Sequence, residues 1–248
     1  MRLHDTHCHI DLYEDRPALI DEIEGAGIYT IAVTNAPSVY HVTERLTSGK
    51  RFIRPALGLH PELVATHARE IDLFERVLPN VKYVGEVGLD YARSTSEERS
   101  SQRRVFARIL SLVNGVGGRV VTVHSRGAAD DVVDMMIEHA PGAVILHWFS
   151  GGAKALARAN EAGGWFSVNP AMVRSSQGRG KLGGFRRDRV LLESDGPFVE
   201  VEGTPARPHH GVQVVQALAE IWNCDVNEAA VQLHENFRIC LDQADRSK

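Results

Sequence analysis

The sequence predicts an α/β protein, a single (β/α)8 barrel of the TIM type over residues 1–248, on three observations. The length, 248 residues, matches the roughly 250 that such barrels use as one domain. Short β-like apolar runs alternate with longer amphipathic stretches of helical spacing along the whole chain. Metal-seeking side chains recur where the apolar runs end, and a barrel gathers the carboxyl ends of its strands on one rim. An open doubly wound sheet is the competing arrangement, but it lacks its Gly-rich phosphate turn here.

In order, the first strand carries His7-Cys8-His9. Arg16 to Ala26 follows as a helix, with Leu19, Ile20 and Ile23 at helical spacing and a stop at Gly25 and Gly27. Ile28–Val33 is the second strand, and a helix near Ser38 to Thr47 leads to the third, Phe52–Leu57. A helix over His67–Leu78 precedes the fourth strand, which ends at Glu86. Glu97 to Gly115 is a long helix with Val105, Ile109 and Leu112 on one face. Strand five, Arg119–Val123, ends at His124 and is followed by a helix over Ala128–His139. Strand six, Ala143–Leu146, ends at His147. Asn160 to Ala162 close a helix before strand seven, Trp165–Val168, and Val190–Glu193 is the eighth strand, with Asp195 just beyond it. Helices near Gly211–Trp222 and Val226–Leu241 end the chain, the last capped by Asp225 with Glu228 three residues on.

Lys plus Arg total 28 against 32 for Asp plus Glu, a net −4, so no overall positive field advertises a polyanionic partner. Any polyanion must be gripped by local charge or by metals. The three cysteines, Cys8, Cys224 and Cys240, form no Cys-x-x-Cys pair and read as packed thiols of a reducing, cytoplasmic interior. No 18-residue apolar run offers a membrane span, and no charged-then-apolar leader precedes the first strand.

Alternation along a strand puts His7 and His9 on the same face, about 6.5–7 Å apart along the backbone. An isolated His-x-His is more often two solvated histidines, but Glu86, His124, His147 and Asp195 at other strand ends change the balance. Imidazoles mixed with carboxylates suit Zn²⁺, Mn²⁺ or Mg²⁺, and without thiolates the site is open and catalytic rather than structural. Six ligands exceed one tetrahedral ion and suit two, with Glu86 as the natural bridge. Asp195, a terminal carboxylate near a shared water, is placed to orient it or take its proton.

Six strings now carry a resemblance: Asp5-Thr6-His7-Cys8-His9-Ile10-Asp11, Gly58-Leu59-His60-Pro61, Gly85-Glu86-Val87-Gly88-Leu89-Asp90-Tyr91, His124-Ser125-Arg126, His147-Trp148-Phe149-Ser150-Gly151 and Leu192-Glu193-Ser194-Asp195-Gly196-Pro197. In this order they resemble the successive signatures of the TatD family of metal-dependent DNases. The resemblance implies an amidohydrolase-like barrel, a two-metal site and phosphodiester hydrolysis that trims DNA from the 3′ end. It implies one ion on His7, His9, Glu86 and Asp195 and the other on Glu86, His124 and His147, with His60 facing the substrate phosphate. Asp11-Leu12-Tyr13, the string from Trp165 to Met172 and Ser194-Asp195-Gly196-Pro197-Phe198 further resemble one branch, the QatD nucleases of the Qat anti-phage defence system. That branch implies the other Qat proteins as partners.

Arg126 has two readings, a fork on a phosphate oxygen or a pair with Asp130 or Asp131. Tyr91, Trp148 and Phe198 lie just past ligand-bearing strand ends, where bases of a single strand or frayed end stack; core packing is the commoner fate of Trp and Phe, leaving Tyr91 as the expected contact. Thr204-Pro205-Ala206-Arg207-Pro208-His209-His210 replaces the Arg-rich segment ending in Asn and Pro that many family members carry, and the two histidines read as a solvated pair. Arg174 to Arg189 holds six basic residues against Asp188, broken by glycines, and reads as a mobile basic loop for phosphates or as a poor solvent-facing helix. Two other functions compete. One is a superfamily hydrolase of a small ester, amide or lactone, or of mis-acylated tRNA; its common form uses a carboxylated lysine where Glu86 stands. The other is a partner-regulated subunit of a defence complex.

Overall fold

The computed structural model describes residues 1–139 and 141–247. Eight strands lie in sequence order around a nearly closed barrel: β1 (His4–Cys8), β2 (Tyr29–Ala32), β3 (Ile53–Leu57), β4 (Tyr83–Gly88), β5 (Val120–His124), β6 (Ala143–His147), β7 (Trp165–Val168) and β8 (Val190–Leu192). Neighbours pair in parallel, as in the register Val120↔Ala143 to Val123↔Leu146. β8 comes back beside β1, where Thr6 Oγ1 donates to the Leu192 carbonyl at 3.1 Å and Asp195 N to the His7 carbonyl at 2.9 Å.

Helices α1 (Arg16–Ala26) and α2 (Pro37–Thr47) follow β1 and β2, and α3 (Val64–His67) and α4 (Ile71–Val77) follow β3. Next, α5 (Ser96–Val116), α6 (Ala129–His139) and α7 (Ala153–Glu161) follow β4, β5 and β6. α8 (Pro170–Arg174) and α9 (Ser176–Leu182) lie between β7 and β8. A hairpin of β9 (Glu200–Val201) and β10 (Thr204–Pro205) then leads to α10 (Gly211–Trp222) and α11 (Val226–Asp245). The expected helix ends recur for local reasons. Asp15 accepts from Ala18 N at 3.0 Å to start α1, and Gly27 ends it in the left-handed region at φ 65°. Thr95 and Glu98 form a full capping box on α5.

Period-two alternation decides which side chains meet. In β5 and β6, Val120, Ala143 and Ile145 pack with Trp165 and Leu191 against Phe237, Cys240 and Ala244 of α11, which plugs one end of the barrel. The alternate residues Val121, Val123, Val144, Leu146, Phe166 and Val168 pack outward with the helices. His124 and His147 continue the inward series, so their imidazoles point into the other mouth of the barrel.

Two expectations change, and one open reading is decided. The helix over 67–78 is interrupted by a 3₁₀ turn at Ala68–Glu70, and the Glu70 carboxylate there accepts from Ser38 N (2.9 Å) and Oγ (3.0 Å) at the start of α2. Glu228 turns from its cap to Arg187, 2.6 Å away. Of the two readings of the basic stretch, the helix is the one present, α9 with its flanks, rather than the loop. Arg179 pairs with Glu220, Arg186 with Asp188, and Lys181 with the Ser150 carbonyl, so protein partners already take these cations.

Candidate metal centre

β1, β4, β5, β6 and the turn after β8 deliver the six expected ligands to one place. A cavity of about 550 Å³ is lined by His60, Glu86, His124, Arg126, His147 and Asp195, among others, and His7 and His9 lie buried against its carboxylates. The pairing register shifts beside His7 in β1 and beside Glu86 in β4, and such irregularities re-aim a side chain. At Gly85 a Cβ would come within 2.0 Å of the Thr122 methyl, so only glycine lets β4 approach β5 there.

Glu86 divides its carboxylate. Oε2 lies 3.4 Å from both His7 Nε2 and His9 Nε2, which are 3.2 Å from each other and 3.8 and 3.7 Å from Asp195 Oδ1. Oε1 lies 2.7 Å from His124 Nδ1, 2.9 Å from His147 Nε2 and 3.4 Å from His60 Nε2. Two sets of donors thus share one buried carboxylate.

Sequence reasoning assigned no role to the residues that hold these donors in place. Thr122 Oγ1 sits 2.8 Å from His7 Nδ1, Asp90 Oδ2 2.8 Å from His124 Nε2, and Glu193 Oε2 3.6 Å from His147 Nδ1. Glu193 also comes close enough to His7 and His147 to form a donor group with them. Partners of this kind fix the tautomer and ring orientation of a ligating histidine. Asp5 Oδ1 ties the strand ends by accepting from His7 N at 2.9 Å and Ser194 N at 3.1 Å. The signal for Thr122 and Glu193 was alternation: each lies two residues from a ligand on the same strand path.

Burial pushes His7 down to about 3, with His147 adding to the effect, so it is a neutral lone-pair donor. Burial also opposes charge on Glu86, but the facing imidazoles of His60, His147 and His7 hold its carboxyl well below the usual range. His147 is raised well above an ordinary histidine because Glu86 and Glu193 outweigh its burial, and His124 is raised because hydrogen bonds to Asp90 and Glu86 do the same. Burial drives the Asp195 carboxyl upward, with Glu193 and Glu86 adding to the effect against His147. The donor set fits a divalent cation. With Nδ1 engaged by Thr122, His7 aims Nε2 at His9 Nε2, and two ring nitrogens at 3.2 Å share at most one proton where a cation satisfies both.

Trp148 and Asp195, each next to a strand end, hold left-handed backbone at φ 40° and 49°, a cost of order 1–3 kcal/mol apiece that tends to gather at functional sites. Arg126 lines the cavity and, among the described residues, forms no ion pair with Asp130 or Asp131. Tyr91, the expected stacking residue, is half-buried and lies outside the cavity lining: its hydroxyl donates to Asp131 at 2.7 Å and Arg99 lies over its ring at 5.1 Å. Trp148 and Phe198, expected to pack inside, are 39% and 60% exposed. His209 pairs with Glu22, outside the cavity.

An eight-stranded barrel with a buried histidine–carboxylate cluster at one mouth defines a metal-dependent hydrolase of the barrel class. The sequence profile of the TatD related DNase family matches residues 4–242, and this chain belongs to that family. It is 31% identical over 261 residues to the metal-dependent hydrolase TatD of Mycobacterium tuberculosis, covering 94% of this chain and 96% of that one. It is 26% identical to deoxyribonuclease TATDN3 of Homo sapiens over 80% of this chain and 79% of the relative. The crystal structure of YjjV, a TatD homologue from Escherichia coli, superposes with a TM-score of 0.84 at 25% identity, covering 95% and 96% of the two chains. Among the described residues no helix is long and apolar enough to cross a membrane.

Proposed function

We propose that the whole chain is one catalytic unit, a two-metal phosphodiesterase that shortens DNA from the 3′ end of single strands or frayed ends. The observation that carries this reading is the divided carboxylate of Glu86, with His7, His9 and Asp195 on the Oε2 side and His124 and His147 on the Oε1 side. Two divalent ions, Mg²⁺, Mn²⁺ or Zn²⁺, would supply an activated water and positive charge for the attacking and leaving oxygens. In this reading Asp195 orients the water and accepts its proton, burial having raised the proton affinity of its carboxylate. His60 and Arg126, on the cavity wall, donate to the phosphate. The name of the human relative, a deoxyribonuclease, supports action on DNA, and that of the bacterial relative supports a metal-dependent hydrolase.

The deciding experiment is digestion of end-labelled single-stranded oligonucleotides with each ion, with and without EDTA, for wild type and Glu86→Ala. Metal-dependent 3′ shortening by wild type alone is expected. Equal digestion by both proteins, or intact oligonucleotides alongside turnover of model esters or lactones, overturns the reading. We further propose, from the resemblance of the Asp11-Leu12-Tyr13, Trp165 to Met172 and Ser194 to Phe198 strings to the QatD branch, that the activity serves cytoplasmic anti-phage defence beside the other Qat proteins. Co-purification with those proteins, and loss of phage protection in Glu86→Ala, is the matching expectation.

A further inference from the structure

The metal cavity has a neighbour. A second cavity of about 550 Å³ lies beside it, lined by Arg174, Glu200, Glu202 and Gln213 and sharing Trp148 and Phe198 with the first. The two aromatic rings therefore form the ridge between the cavities, and both are exposed to solvent. Both are set by the metal-site scaffold. Trp148 N donates to Glu193 Oε1 at 3.1 Å, and the Phe198 ring meets the His9 ring edge-on at 4.9 Å.

From this geometry we infer that Trp148 and Phe198 stack the nucleobase next to the reacting phosphate and pass the following base into the second cavity. The inference rests on the nuclease reading and names how that site holds its strand. Charge separates the two parts of the substrate. The metal side offers Arg126 and the cation-binding cluster to the phosphate, whereas the second cavity offers the carboxylates of Glu200 and Glu202, and its Arg174 already donates to the Glu200 carbonyl. Carboxylates repel a phosphate but accept hydrogen bonds from base amino groups, and the Gln213 amide can do either. Bases suit that cavity, and phosphates do not. Stacking on exposed rings tolerates any base, so the subsite confers grip and strand choice rather than sequence preference.

The test compares two oligonucleotides of the same length, one intact and one with tetrahydrofuran in place of the bases flanking the scissile bond. Wild type should show a KM about ten- to a hundredfold higher for the base-free oligonucleotide, and the double variant Trp148→Ala, Phe198→Ala should no longer distinguish the two. Separately, an oligonucleotide bound in EDTA should quench tryptophan fluorescence in wild type and far less in Trp148→Phe. Equal KM values in wild type, or full discrimination and full quenching in the variants, overturn the inference while leaving the nuclease reading intact. Failure of wild type to cut either oligonucleotide overturns the nuclease reading itself.

Discussion

Glu193 stands directly behind His147, its Oε2 3.6 Å from the ring Nδ1, while the same carboxylate accepts from Asn169 Nδ2 at 2.9 Å and Trp148 N at 3.1 Å. The buried anion therefore couples three elements: the imidazole of β6, the turn presenting Trp148, and the Asn169 cap of α8. A carboxylate so placed raises the basicity of the imidazole and holds its face toward Glu86.

Glu193→Gln keeps the hydrogen-bonding shape and removes the charge. Metal affinity should fall about ten- to a hundredfold, the range for partners that orient a ligating histidine. Titration with Mn²⁺ by calorimetry, alongside a circular dichroism spectrum matching wild type, checks it; unchanged affinity would reduce Glu193 to a packing role.

Metal affinity should rise with pH. His124 and His147 are both raised above an ordinary histidine, so each holds its proton more tightly than a free imidazole and must release it to coordinate. Binding measured at pH 6 and pH 8 in buffers of different ionisation enthalpy should show tighter binding at pH 8 and proton release at pH 6. Proton uptake would contradict the assigned charge states.

Acid stability offers a test away from the metal. Burial, with His234 adding to it, lowers His4 from 6.5 to about 3; its Nε2 accepts from Leu192 N at 3.0 Å and its ring stacks on Phe237 at 4.4 Å. Because the folded value is depressed, the unfolded chain takes up a proton first as pH falls below 6.5. Stability present above that value is lost at up to about 1.4 kcal/mol per pH unit, until the folded ring titrates near 3. His7 acts in the same direction. Asp5, raised by burial from 3.8 to about 7, acts oppositely, since its contribution is full below 3.8 and is lost as pH rises toward 7. Urea unfolding of wild type and His4→Gln at pH 7.5 and 5.0 isolates His4: the variant should lose less stability between the two. Parallel profiles would remove His4 as the cause.

Arg126→Ala should weaken oligonucleotide binding several-fold and lower the slope of log affinity against log salt by about one, the signature of one lost phosphate contact. Fluorescence anisotropy with a labelled strand at several salt concentrations reads both. An unchanged slope would place the guanidinium off the phosphate path.

Much of the barrel was legible because its signals are local. Alternation set the strands, Asp225 opened the last helix, and Gly27 closed α1. Those signals span only a few residues, so they gave the eight-strand order and the strand-end positions of His7, His9, Glu86, His124, His147 and Asp195. They did not reach contacts made across the sheet. Glu70 capping a distant helix, the basic residues of α9 meeting Glu220 and Ser150, and Tyr91 bound to Asp131 are each settled by a partner far along the chain.

The sequence by itself determined the strands, their order and the residue types at their ends, because strand periodicity and capping depend on near neighbours. Only the tertiary structure decided that Glu86 divides its oxygens between two donor sets, that Glu193, Asp90 and Thr122 support them, and that exposed Trp148 and Phe198 line the metal cavity while half-buried Tyr91 turns to Asp131. Closure of β8 onto β1 brings together side chains nearly 190 residues apart, such as Thr6 with Leu192 at a separation of 186, and distances of that kind leave no periodicity to read.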